Sequence, residues 1–296
     1  MIEFLQQHGA ILLAMAGMLG LVVGSFLNVV IYRLPIMMER DWRAQCHEFL
    51  GGEDHLPPTP SPESNRPLSL LLPASHCPHC HHPIRPHENI PILSYLMLRG
   101  RCSACQAHIS ARYPVVEATT ALFTVFVIGQ FGLTGPGIAA LLLTWPLIAL
   151  SLIDFDHQLL PDSITLPFLW LGLLLSLSGI FTDPPSAIIG AVAGYLCLWG
   201  VYQLFKRLTG KEGMGYGDFK LLGMFGAWLG WQAIPQIVIL ASLVGAIVGV
   251  SLIVVRGRDR NLPIPFGPYL AAAGWLSLMW GHDINRAYLT WSGLTP

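Results

Sequence analysis

Four cysteines and two aspartates hold most of the chemistry this chain can do. Cys77 and Cys80 form one C-x2-C pair, and Cys102 and Cys105 form a second, with twenty-one residues between the pairs. Two such pairs supply four thiolates, the ligand set of a tetrahedral Zn(II) with Zn–S bonds of about 2.3 Å. The spacing is close to that read as a zinc site. Four sulfurs close the shell and leave no position for water, so the metal is expected to be structural. His76, His79, His81 and His82 lie beside the pairs, and replacement of one thiolate by one of them is the alternative. Cys46 and Cys197 lack a paired partner and read as plain residues.

The stretch GMGYGDFKLLGMFG, Gly213 to Gly226, sets Asp218 after a glycine-rich turn and before an apolar run. A second stretch, SLIDFDHQLLPDSITLP from Ser151 to Pro167, carries Asp154, Asp156 and Asp162. Asp154 directly follows an apolar run and is expected to sit deepest. Asp156 reads as solvated, and Asp162 as the N-cap of the next helix. Asp218 has a bland reading too, as a cap beside Gly215 and Gly217. Two acids converging at one membrane face favour chemistry instead. Close carboxylates push their pKa values apart, because both cannot easily be charged. One then polarises a carbonyl while the other takes a proton from water, as in aspartic proteases.

The elements that must position these residues are hydrophobic. The chain has 296 residues, 53% hydrophobic and 11% charged, against about a quarter charged in soluble domains. Eight apolar stretches are expected to cross the bilayer, at 9–32, 114–131, 136–153, 163–181, 186–205, 219–232, 234–255 and 266–281. The fold class is therefore an all-α polytopic membrane protein with about eight transmembrane helices and a small cytoplasmic zinc-binding segment. The first run, Gly9 to Tyr32, exceeds a signal-peptide core of about 7–15 residues and reads as a retained span. A net charge of −1 argues against a nucleic-acid partner. No short-period repeat is visible.

Between the first two spans lies a polar segment, Arg33 to Tyr113, with a proline-rich linker at Leu56 to Pro67. With eight spans, every Lys and Arg except Arg286 falls on one side. The excess of positive charge assigns that side, with the cysteines and both aspartates, to the cytoplasm. The expected organisation is 1–32 as the first transmembrane helix, 33–113 as the cysteine segment and 114–296 as the membrane-embedded bundle.

In this order, GSFLNVVIYRLP, the paired C-x2-C segment, RGRCSAC, RYPVVE, IDFDHQLLPD and GYGDFKLL resemble the type IV prepilin peptidases. These are bifunctional leader peptidases and N-methyltransferases of bacterial inner membranes. The likeness runs from about Gly24 to the last span. It implies that Asp154 and Asp218 are the catalytic pair, forming an aspartic endopeptidase. It implies cleavage of type IV prepilins and type II secretion pseudopilins after Gly, usually before Phe. The new amine is then methylated with S-adenosylmethionine. The four cysteines match the zinc segment associated with methyltransferase competence. Glu88 in RPHENIP, Gly100 in RGRC and Glu117 in RYPVVE lie in family-like stretches and are candidates for the methyl-donor site. The bland readings of Glu88 and Glu117 are a loop surface residue and a helix-start acid; Gly100 would serve by allowing close backbone approach. Three other functions compete: a peptidase without methylation, an ion-coupled transporter using the two aspartates as relays, and a pure binding or assembly scaffold.

Overall fold

The computed structural model describes residues 9–49, 68–256 and 264–293. The expected linker at Leu56 to Pro67, and the charges Arg66, Arg258 and Arg260, lie outside the described residues. All regular structure among the described residues is helical, apart from two isolated bridges, His76 with Pro83 and Arg101 with His108. The described residues divide into two compact units, one ending at Val125 and the other beginning at Phe126.

In the first unit, α1 spans Gly9–Phe49, well past the expected end at Tyr32. A short 3-10 turn at Pro86–Asn89 and α2 at Leu93–Met97 follow. α3 spans Arg112–Phe131, and the division between the units falls within it. α1 and α3 cross at small residues. A Cβ added to Gly24 would lie 2.7 Å from the Glu117 Cα, and one added to Gly20 would meet Ala121 and Thr124. This small-xxx-small spacing lets two backbones approach closely inside a bilayer. Buried polar groups are satisfied within the unit. Asn28 Nδ2 donates to the Tyr113 carbonyl at 3.1 Å. The buried Arg33 guanidinium donates to the Ser69 and Pro73 carbonyls at 2.9 and 2.8 Å. Thr120 and Thr124 return their hydroxyls to their own helix.

The second unit contains α4 (Gly135–His157), α5 (Asp162–Ser176), α6 (Pro184–Thr209), α7 (Tyr216–Leu229), α8 (Ala233–Arg256) and α9 (Gly267–Trp291). α7 is its centre, with ten of fourteen residues buried, as expected of a helix apolar on every face. It packs most closely on α6, where Gly190 and Gly194 face the α7 backbone at Gly226 and Leu222. On α5, Gly172 makes room for Trp228, whose indole donates to the Phe168 carbonyl at 2.7 Å. α9 joins α4 through Trp275, which donates to Thr144 at 3.1 Å. α9 kinks at Trp280, where φ is −135°.

A helix occupies each of the eight expected stretches, but the count of eight spans is not confirmed. Among the described residues, five helices are long and apolar enough to cross a membrane: α1, α3, α4, α6 and α8. α5 and α7 have 15 and 14 residues, short of the roughly 20 that a 30 Å core requires. α9 is long, but its second half carries His282, Asp283 and Arg286. The protein is a multi-pass membrane protein on the strength of those five.

Candidate functional site

The cysteine segment is two copies of one turn. Cys77 N–H donates to the His82 carbonyl, and His81 N–H to the Cys77 carbonyl. Twenty-five residues later, Cys102 N–H donates to Ala107 and Gln106 N–H to Cys102. His81 and Gln106 take matching positive φ values of 57° and 60°. The bridges flanking the turns, His76 with Pro83 and Arg101 with His108, keep the same offset. The segment is thus an internal repeat of backbone geometry, legible in sequence as the paired C-x2-C motifs and little else.

The four sulfurs lie within 4.8 Å of one another. Cys77 Sγ is 3.8 Å from Cys105 Sγ, and Cys80 Sγ is 3.9 Å from Cys102 Sγ. A tetrahedron with metal–sulfur bonds of about 2.3 Å has edges of about 3.8 Å, so the cluster fits such an ion. No histidine joins it: His76 stacks on His81 at 5.6 Å, and His82 faces Glu88 at 3.7 Å. Backbone N–H groups of Cys80 and His79 hold the Cys77 thiol down to about 6. Cys46 and Cys197 are exposed, apart from this cluster.

The three methyl-donor candidates are holding points of the same lobe. The Ser103 hydroxyl and the Arg85 N–H keep the Glu88 carboxyl below the usual carboxylate range, tying the 3-10 turn to the second knuckle. Glu117 is buried; it accepts the Ile92 N–H at 2.7 Å and the Ser25 hydroxyl. Ile92 has φ 58° and ψ −47°, and Leu93 N–H closes on the Pro91 carbonyl. This is a γ-turn of the rare strained kind, held by a buried acid. Gly100, at φ 68°, follows α2 and packs against Tyr95. Glu117 and Gly100 thus grip opposite ends of α2, and Glu88 braces the turn before it.

In the second unit, Asp154 lies in the last turn of α4 and is buried. The αL residue Gln158 ends that helix and returns its N–H to the Asp154 carbonyl. Asp218 lies in the first turn of α7 and is buried as well. The helix cap is Gly215, with no side-chain cap, so Asp218 is not the capping residue. The two acids are close enough for the Asp154 charge to act on Asp218. Asp218 Oδ1 is buried with no hydrogen-bond partner among the described residues, and such a group in a native fold calls for an explanation. Asp154 Oδ2 accepts the Gly267 N–H at 3.0 Å.

The neighbouring acids are outside this pair. Asp156 is exposed. Asp162 is not the N-cap expected of it; Pro161 is, and Asp162 instead pairs with Lys220 at 2.6 Å. Gly267, Leu160 and the buried Arg33 and Asn28 were not singled out by residue type. For Arg33 and Asn28 a signal existed, since polar groups flanking or inside an apolar span are rare without a task.

Buried acids inside a helical bundle mark intramembrane chemistry, which places the chain among membrane-embedded enzymes. Residues 18–131 match the bacterial peptidase A24 N-terminal domain, and residues 141–250 match the type IV leader peptidase family. A prepilin leader peptidase/N-methyltransferase of Stutzerimonas stutzeri is 54% identical over 293 residues, 99% of each chain. A protein of the same name from Pseudomonas aeruginosa is 54% identical over 293 residues, again 99% of each chain. One from Aeromonas hydrophila is 57% identical over 270 residues, 91% of each. The chain belongs to the type IV leader peptidase family, and it is an enzyme with protease and methyltransferase activity. No solved structure matches it.

Proposed function

We propose that this enzyme removes the leader of type IV prepilins and type II secretion pseudopilins, cutting after Gly at the cytoplasmic face of the bacterial inner membrane. It then methylates the new N-terminal residue, usually Phe. One observation carries the peptidase half. Two buried aspartates 64 residues apart in sequence share one neighbourhood, and one of their oxygens has no partner among the described residues. A water between the carboxyls would supply that partner. One carboxylate takes a proton from the water as the oxygen adds to the Gly carbonyl carbon. The other, protonated, donates a hydrogen bond to the carbonyl oxygen. Collapse breaks the C–N bond, and the departing amine takes up a proton. Asp154 Oδ2 is occupied by Gly267 N–H, which leaves Oδ1 to face the water.

We assign zinc to Cys77, Cys80, Cys102 and Cys105, where it knits a lobe with little apolar core of its own. The organisation we favour is residues 1–32 as an anchor helix, 33–113 as the methyltransferase-associated zinc segment and 114–296 as the peptidase bundle. S-adenosylmethionine supplies the methyl group. Its sulfonium is cationic, and the carboxylates of Glu88 and Glu117 fit a cationic donor; Gly100 leaves the backbone bare at the end of α2. Glu117 would place the γ-turn, and Glu88 the knuckle facing it. Co-expression with a prepilin, followed by mass measurement of the pilin, tests both halves. The expected mass lacks the leader and carries one added methyl. An unprocessed pilin would end the peptidase reading; a processed, unmethylated one would end the methylation reading.

A further inference from the structure

Leu160 lies in the connection between α4 and α5 and is buried. Its side chain touches the backbone holders of both acids. On one side is Gly217, which precedes Asp218; a Cβ there would lie 2.6 Å from the Leu160 Cβ. On the other side is Gly267; a Cβ there would lie 3.2 Å from Leu160 Cδ2 and 2.6 Å from Asp154 Oδ2. Gly267 also donates its N–H to that same oxygen. Side chains essentially never approach below 3.0 Å in this way, so each glycine is needed for the approach itself.

The chain is tied down on both sides of Leu160. Gln158 N–H closes the end of α4 on Asp154, and Ile164 and Thr165 N–H groups close the start of α5 on Pro161. Between these two anchors the Leu160 side chain packs against both glycines. It therefore works as a wedge of set width between the start of α7, which carries Asp218, and the start of α9, which holds Asp154.

We propose that Leu160 and Gly267 are positioning residues of the peptidase site: Leu160 sets the gap between the two carboxyls, and Gly267 clamps the orientation of Asp154. The inference rests on the reading of Asp154 and Asp218 as the catalytic pair. Neither positioning residue supplies a titratable group. Both act by geometry, to which proton-transfer catalysis is steeply sensitive: a displacement of about 1 Å costs about 100-fold in rate.

The test uses full-length protein in detergent with a synthetic prepilin peptide, reading kcat and KM for cleavage. Methylation of a pre-cleaved peptide is read in parallel. Leu160→Ala is expected to lower cleavage kcat by about 10- to 100-fold with KM little changed. Leu160→Met, which refills the volume, is expected to recover most of it. Gly267→Ala, whose Cβ displaces the Asp154 carboxyl, is expected to lose about 100-fold. Methylation should stay at the wild-type rate in all three. Wild-type cleavage by Leu160→Ala or Gly267→Ala would overturn the proposal. So would Leu160→Met as impaired as Leu160→Ala, or methylation falling in step with cleavage, which marks lost folding. Asp154→Asn in the same assay separates the two ideas. If it cleaves normally, the dyad reading fails; if it is dead while the positioning variants are normal, only this inference fails.

Discussion

The two units of this molecule hold their reactive groups by opposite means. In the bundle, Asp154 and Asp218 are held by tight packing: a wedge of leucine, glycines with no space for a Cβ, and a central helix buried on most of its faces. In the cysteine lobe, much of the surface is exposed, and the sulfurs are set by two hydrogen-bonded turns that repeat the same geometry. Packing can place an acid where water is scarce, at the cost of demanding an exact shape from distant helices. Ligand turns need little core, since the ion itself supplies the cross-link. A single chain can thus keep, among the described residues, an unpartnered buried oxygen in one region and four converging thiols in the other.

The contrast predicts separable failures. The largest is expected from Asp154→Asn or Asp218→Asn, each lowering prepilin cleavage by about 10²–10⁴-fold, the usual worth of a general acid or base. Methylation of a pre-cleaved pilin peptide should survive both, because the lobe is untouched. Parallel loss of both activities would show that the regions are not separable. The reverse variant is Cys77→Ser or removal of metal by a chelator, read by metal content and by methylation. Both are expected to fall sharply while cleavage persists.

Acid should reproduce the second failure. The Cys77 thiol is held down to about 6 in the fold against about 8.5 when free. Its thiolate therefore contributes stability in full above the free value, and that contribution is lost as pH falls through about 6. The Glu88 carboxyl, also depressed, adds a second loss in the more acidic carboxylate range. Metal retention should fall on the acid side as protons compete with the ion for the thiolates; retention that does not change with pH at all would contradict a thiolate shell.

Smaller effects sharpen the contrast by mechanism. Gly226→Ala forces a methyl into the α6 backbone at Gly190 and is expected to cost about 1–3 kcal/mol, the usual price of overpacking. Arg33→Met removes two charged hydrogen bonds to Ser69 and Pro73, at about 1.5–3 kcal/mol each at most. Thermal unfolding in detergent reads both, and Gly226→Ala should injure cleavage whereas Arg33→Met should injure methylation. Lys220→Met is expected to do least. Its ion pair with Asp162 is partly exposed, with side chains 27% and 51% accessible, and such pairs are worth about 0–1 kcal/mol. A large loss of cleavage there would mean the pair also shapes the start of α7.

Much of the lobe could be read from residue order. Metal chemistry demands specific side chains at short, fixed intervals, so Cys77, Cys80, Cys102 and Cys105 declare themselves without a fold. The two aspartates were legible for a related reason, being acids at the ends of apolar runs. Asp162 shows the limit of that logic: its position before Ser163 suggested a cap, yet a lysine 58 residues away claims it. The count of eight spans is not confirmed for a similar reason. Apolar composition is a local property, but whether α5, α7 and α9 cross a bilayer depends on their length and on what surrounds them.

Residue types and their spacing alone settle that two C-x2-C pairs and two acids at the ends of apolar runs are available, and that long stretches must be helical and apolar. Those follow from side-chain chemistry and from the need of a backbone in lipid to satisfy its own hydrogen bonds. Folding in three dimensions brings Leu160 against both Gly217 and Gly267, leans a γ-turn on Glu117, and leaves Asp218 with an oxygen unpartnered among the described residues. Contacts of that kind join residues far apart in the chain through close packing, and no local pattern encodes the distance between them.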